Sequence, residues 1–211
     1  MTRRFDIITE SDARQIEIGA TVELSQGGHV TPLAQDTLRE RRVTVVPAGS
    51  VDAALPADLA PASDIRRVAI ASDHTGVKLR AAIVQHLRSR GVAVDDLGVD
   101  GATPVDYPDT AGRVAKQVAR GEAEAGIVID GAGIGSAIAA NKVRGIRAAM
   151  ITDETIARYA REHNGTNVMA LGSTLVQPET AKRLVDIWLG TAMTEPRYIR
   201  RLLKIRRLED A

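Results

Sequence analysis

The chain has 211 residues, a formal net charge of +1, 44% hydrophobic and 26% charged residues, so it is too apolar for disorder and has room for one generous domain plus an appendage. One Phe, three Tyr and one Trp cannot build a base-stacking platform, and a near-neutral charge gives no bulk attraction to nucleic acid or anionic membrane. Zero cysteines exclude disulfides, thiolate metal sites and a thiol nucleophile.

The N-terminal 64 residues carry 6 basic and 10 acidic side chains, net −4, against 22 and 17, net +5, in the rest. The start, MTRRFDIITE, lacks the apolar stretch of a signal peptide, and no 18-residue apolar run follows, which reads as a soluble cytoplasmic protein. Residues 1–46 read as a small α/β extension, too short to bury much core alone. It holds a strand over 21–24, a break at Gly27–Gly28, a helix from about Thr31 to Arg41 with Pro32 at its first position, and a strand over 43–46. Residues 47–64, rich in Ala, Pro, Asp and Ser without a period, read as a linker.

From residue 65 apolar strands alternate with amphipathic helices. Strands are expected at 68–72, 92–98, 125–130, 147–152 and 167–172. Between and after them come a helix striped by Leu79, Ile83 and Leu87 and closed by Gly91, then helices over 109–120, from the glycine loop to near Lys142, over 153–161 and over 178–189. The fold class is α/β: a Rossmann-like doubly wound sheet of about five parallel strands with a small N-terminal extension and a C-terminal helix. Ligands in such sheets lie beyond the carboxyl ends of the strands.

Candidate chemistry sits at strand ends. Asp73-His74-Thr75-Gly76 can hydrogen-bond a polar ligand, or Asp73 can simply cap the next helix. The loop Gly131-Ala132-Gly133-Ile134-Gly135-Ser136 aims backbone amides at an anion. It mimics a dinucleotide fingerprint, with Asp153 placed like a ribose-binding acid, but Ser136 replaces the third glycine and the loop follows the third strand, not the first. Arg161-Glu162-His163-Asn164 closes a helix, where a histidine is also a common surface residue. Arg197 and Arg201, four apart, can grip one phosphate or lie on a solvated helix.

In order and spacing DHTG (73–76), DYPD (106–109), IDGAGIGSAIAANK (129–142), REHNGTNV (161–168), LGS (171–173) and the Arg197/Arg201 tail resemble the ribose-5-phosphate isomerase B family, which includes the galactose-6-phosphate isomerase subunits. The resemblance covers about residues 66–205 and implies an aldose–ketose isomerase of a small sugar phosphate. It implies neither metal nor cofactor, and a homodimer or tetramer whose active sites lie at subunit interfaces. It assigns Asp73 and His74 to sugar hydroxyls, Tyr107 to the pocket wall and the Gly131, Gly133, Ile134 and Gly135 amides to the enediolate. His163 is then the acid or ring opener, Asn164 binds substrate, and Arg197 and Arg201 hold the phosphate.

The chain departs from the family at Asp130, where most members carry the cysteine that moves the proton, and at Ala132, where a threonine is usual. Ser136 fills the place of a glutamate base found in some relatives. Asp130 is thus the only candidate base in the loop, and burial and amides would push its basicity in opposite directions. Otherwise Asp130 binds a hydroxyl and the substrate differs. A non-catalytic partner subunit or sugar-phosphate-binding protein, and a nicotinamide enzyme, remain as alternatives. Residues 1–46 are similar to the N-terminal segment of some ethanolamine-utilisation microcompartment proteins, which implies contact with an enzyme shell or partner, or else a dimer-stabilising extension.

Overall fold

The computed structural model describes residues 3–47, 59–61, 64–101, 103–193 and 195–209. The chain divides into two compact units, residues 1–57 and 58–211. Most of the segment 47–64 read as a linker lies outside the described residues.

The N-terminal unit is a parallel three-stranded sheet in the order β1-β2-β3, built from β1 (Arg4–Ile8), α1 (Glu10–Gln15), β2 (Thr21–Val30), α2 (Pro32–Glu40) and β3 (Thr44–Pro47). Thr9 opens α1 with a capping box: its amide donates to Asp12 Oδ2 at 2.9 Å, and its hydroxyl accepts from the Asp12 amide at 3.4 Å. β1 and α1 carry no apolar period long enough to be read from the sequence. The Gly27–Gly28 break is a bulge inside a longer strand, since Phe5 pairs with Leu24 but Ile7 pairs with His29. A Cβ on Gly28 would lie 2.5 Å from the Asp6 carbonyl oxygen, so only glycine fits that crossing. Short as it is, the unit buries a cluster of its own: Phe5, Ile8, Ala13, Ile16, Val22, Ala34 and Leu38.

The larger unit is a parallel five-stranded sheet in the order β5-β4-β6-β8-β7. Its strands are β4 (Arg67–Ser72), β5 (Ala93–Asp96), β6 (Ala125–Asp130), β7 (Ala148–Met150) and β8 (Val168–Gly172). Its helices are α3 (Val77–Ser89), α4 (Tyr107–Ala119), α5 (Ile134–Ala140), α6 (Glu154–Glu162), α7 (Pro178–Gly190) and α8 (Pro196–Leu208). β5 and β7 are shorter than their apolar runs, because as edge strands they pair on one side only. α4 starts at Tyr107, two residues before its expected position, since Pro108 suits a first turn.

The two faces pack differently. Val68, Ile70, Ile127 and Ile129 point to the face carrying Leu79, Ile83, Leu184 and Trp188. Ala69, Ala71, Val128 and Ala170 point to the other, against Ala111, Val114 and Ala140. Small side chains on that second face let α4 approach closely, and a Cβ on Gly126 would sit 2.6 Å from Val114 Cγ1.

Trp188 is fully buried and donates its indole N–H to the Thr166 hydroxyl at 2.8 Å. The buried Arg161 guanidinium lies 4.9 Å above the Trp188 ring centroid and donates to the Thr166 carbonyl at 2.9 Å. Burial first, then the nearby Arg147 charge, pulls the Arg161 pKa down to about 10, so it stays cationic at neutral pH. Trp188→Phe keeps much of the packing but leaves the Thr166 hydroxyl without its donor. The expected cost is about 1–3 kcal/mol of stability, read as a lower urea midpoint at unchanged slope.

Candidate active site

Three strand ends meet at the carboxyl edge of the sheet. β4 ends at Ser72, and the Asp73 amide donates to the Ile129 carbonyl at 3.0 Å, tying this turn to β6. Asp73 is buried, and its Oδ1 accepts from the Thr75 amide at 2.8 Å and the Thr75 hydroxyl at 2.6 Å. Asp73 therefore closes a turn and does not cap α3, whose first half-in residue is Gly76. A Cβ on Gly76 would fall 2.6 Å from Ile129 Cγ2, so glycine lets the helix start over the strand. His74 is exposed, and its Nδ1 accepts from the Val105 amide at 3.4 Å, joining it to the loop that delivers Tyr107.

β6 ends at Asp130, and here the glycine loop acts on its own chain. Asp130 Oδ1 accepts from the Ala132 and Gly133 amides, and Oδ2 accepts from the Ser136 amide at 2.8 Å. Burial alone would raise the carboxyl pKa. The neighbouring Ser136 side chain and the Gly133, Ser136 and Ala132 amides outweigh it and hold Asp130 below the usual carboxylate range. The buried Ser136 hydroxyl makes no well-aligned hydrogen bond, so the amides are the firmer part of this cradle. The competition that sequence alone left open is thus decided for the anion.

It also narrows the loop's expected role. The Gly133 amide already holds the Asp130 carboxylate, while the Gly131, Ile134 and Gly135 amides are not among those engaged by it. Gly133 has φ +81°, and a Cβ there would lie 2.9 Å from the Gly172 amide nitrogen. A Cβ on Gly135 would strike the Tyr107 ring at 2.6 Å, which places the half-exposed Tyr107 directly over the loop.

The loop after β8 contributes Ser173, which sequence reasoning quoted only within the LGS motif, and Thr174, which it did not single out. The Ser173 amide donates to the Asp130 carbonyl at 2.8 Å, and its hydroxyl to Thr75 Oγ1 at 3.4 Å. Thr174 donates its amide and its hydroxyl to the Gly131 carbonyl, at 3.1 and 2.6 Å. The signal for Thr174 was its position just after a strand.

The other named residues lie at the opposite edge. α6 runs back across the sheet and ends at His163, before β8 begins. The His163 ring stacks on Tyr159, centroids 4.3 Å apart, and meets Tyr198 in a tilted contact at 4.5 Å, and its Nε2 is 3.8 Å from Glu162 Oε1. Asn164 donates to the Tyr159 carbonyl at 3.1 Å. Arg197 and Arg201 share a face of α8, their guanidinium carbons 4.7 and 5.5 Å from the Tyr198 centroid, and Arg197 also donates to the Tyr198 hydroxyl at 2.9 Å.

Asp130 and His163 bracket neighbouring parallel strands from opposite ends, roughly 15 Å apart at about 3.3 Å per strand residue. One chain therefore assembles Asp73, His74, Tyr107, Asp130 and the glycine loop in one cluster and His163, Asn164, Arg197 and Arg201 in another. Asp153, placed by sequence where a ribose-binding acid would stand, instead caps α6 by accepting from the Ile156 amide at 2.9 Å. Among the described residues no group of three or more His, Asp or Glu side chains converges as a metal site.

Residues 68–205 match the model of the Ribose/Galactose Isomerase family. The chain is 43% identical over 146 residues to ribose-5-phosphate isomerase B of Escherichia coli K12, covering 69% of this chain and 98% of that protein. It is 40% identical over 124 residues to D-erythrulose-4-phosphate isomerase of Pectobacterium atrosepticum, covering 58% and 81%. The structure of Clostridium thermocellum ribose-5-phosphate isomerase B superposes with a TM-score of 0.67 at 44% identity, covering 68% of this chain and 97% of that one. That of the Mycoplasma genitalium enzyme with bound ribulose-5-phosphate gives 0.66 at 39%, covering 68% and 96%. Fold, motif order and these matches together place the chain in the Ribose/Galactose Isomerase family.

Because the folded state holds the Asp130 carboxyl below its unfolded value, this group stabilises the fold above the unfolded carboxylate pKa. That contribution fades as pH falls through the lower folded value. Asp130→Asn is expected to be less stable than the parent at neutral pH, with the gap closing below about pH 4. Urea unfolding of both proteins across that range checks it.

Proposed function

We propose that this chain is an aldose–ketose isomerase acting on a small sugar phosphate through a cis-enediolate, with ribose 5-phosphate and ribulose 5-phosphate as the first candidate pair. The single observation that supports this most is the anchored Asp130 carboxylate, standing among Asp73, His74 and Tyr107 where a substrate's first two carbons would lie.

In this reading Asp130 takes the proton from C2 of the aldose and returns it to C1, while the C1 oxygen becomes a hydroxyl and the C2 oxygen a carbonyl. Oδ2 carries one amide hydrogen bond and keeps a lone pair for that proton. Held below the usual range, the carboxylate is a weak base, so positioning and electrophilic help to the substrate oxygens carry more of the barrier. Asp73, His74 and the open amides of the α5 first turn are suited to those oxygens. His163 protonates the ring oxygen during opening, Asn164 binds substrate, and Arg197 with Arg201 grips the phosphate.

These roles need a second copy. A two-fold dimer that sets one subunit's amino-edge cluster against its partner's carboxyl-edge cluster completes two equivalent sites. The exposed Ile134 and Ile138 on α5 and Ile205 and Leu208 on α8 fit such a surface, since exposed large apolar side chains mark interaction sites.

Asp130→Asn is expected to lower turnover by about 10²–10⁴-fold with sugar-phosphate binding little changed. Undiminished turnover would remove Asp130 from the chemistry. Binding without turnover in the parent, across four- to six-carbon sugar phosphates, would favour a non-catalytic binding protein. The shared site has its own check: Asp130→Asn and His163→Ala, each strongly impaired alone, are unfolded and refolded together. Random pairing puts both lesions in one site of each mixed dimer and leaves the other intact, so roughly a quarter of parental activity should return. No recovery would place both residues in sites made by a single chain.

A further inference from the structure

The most unusual use of aromatic residues in this chain lies around His163. Of three tyrosines in the whole sequence, two flank this one imidazole. Tyr159 stacks on the ring with an interplanar angle of 20°, and Tyr198 lies against it tilted by 30°. The Tyr159 ring is 48% exposed, so it is not there to fill the core, whereas Tyr198 is buried in a small cluster with Leu59, Met193 and Leu202.

Among the described residues no hydrogen bond ties the imidazole: Glu162 Oε1 is 3.8 Å from Nε2, beyond hydrogen-bond reach. A histidine at the end of a helix, with no bond to either ring nitrogen, rotates freely about its side-chain torsions unless its faces are packed. Two aromatic rings within 4.5 Å of its centroid restrain the imidazole without using a ring nitrogen, which suits a group that must meet a substrate oxygen with its N–H. The partners are themselves tied: Asn164 donates to the Tyr159 carbonyl, and Arg197 donates to the Tyr198 hydroxyl. Tyr198 thereby links the imidazole to the two arginines, whose guanidinium carbons lie 4.7 and 5.5 Å from its centroid.

We propose that Tyr159 and Tyr198 form an aromatic clamp that positions His163 for proton transfer to the sugar ring oxygen, with Tyr198 setting the imidazole at a fixed distance from the phosphate-binding arginines. Both tyrosines are positioning residues, since neither needs to touch the reacting atoms. The inference rests on the isomerase reading above and deepens it.

Tyr159 is the cleaner residue to change, because the cation–π contacts of Arg197 and Arg201 go to Tyr198. Tyr159→Leu should lower kcat on ribose 5-phosphate by about 10–100-fold with KM within about twofold, and Tyr159→Phe, which keeps the ring, should restore most of it. In a His163→Gln background, Tyr159→Leu should cost nothing further, because the ring it positions is gone. An equal loss in both backgrounds, or a loss in KM alone, overturns the clamp and makes Tyr159 a structural or binding residue. Thermal unfolding of Tyr159→Leu close to the parent's accompanies the expected result, and a collapse of the fold shared by Tyr159→Phe contradicts it. If the parent protein turns over no sugar phosphate, the isomerase reading fails and takes the clamp with it. If the parent is active and Tyr159→Leu matches it, only the clamp fails.

Discussion

The junction of β6 and α5 is held by a carboxylate surrounded by its own backbone. Asp130 takes the Ala132 amide of the loop and the Gly133 and Ser136 amides, two donors that a helix start leaves without partners. Much of the carboxyl edge then hangs on this corner. The Ser173 amide reaches the Asp130 carbonyl, Thr174 reaches Gly131, and the Asp73 amide reaches Ile129. Three loops thus share one stretch of backbone, 129–131, as their anchor. The same hydrogen bonds that make the loop rigid also keep the carboxyl anionic. Rigidity and weak basicity are two consequences of one arrangement.

Parallel topology imposes the second constraint. A loop before a strand and a loop after its neighbour lie at opposite edges of the sheet, whatever side chains they carry. His163, before β8, and Asp130, after β6, follow that rule. Motifs adjacent on paper are thus kept apart within one chain, and a symmetric partner is the economical way to bring them together. The unequal faces of the sheet serve the same end. Small residues toward α4 and α5 bring those helices close, which sets Tyr107 against Gly135.

The N-terminal unit is a separate solution to a small-domain problem. Its sheet has only three strands, yet Phe5, Ile8, Val22 and Leu38 close a core, and Gly27 with Gly28 lets β2 bulge past Asp6. None of the side chains assigned to the isomerase site belongs to it, and the family match begins at residue 68.

Local chemistry made most of the larger unit legible. Alternating apolar runs at 68–72 and 125–130, the Leu79–Ile83–Leu87 stripe and Gly91 at φ +78° are decided by neighbours within a few residues. The motif order likewise identified the family from sequence. What sequence could not rank was the state of Asp130, because burial and amide bonding act on it at once and only coordinates give their balance. Nor did it show β1, too short for a period, or Asp153 as a cap in place of a cofactor ligand. The His163 stack joins Tyr198 to a helix 35 positions earlier in the chain, and the Ser173–Thr75 contact spans 98 positions. Sequence determined which residues stand at loop ends. Tertiary structure decided which loop ends share an edge, because that depends on strand order and direction, and these are set by long-range packing.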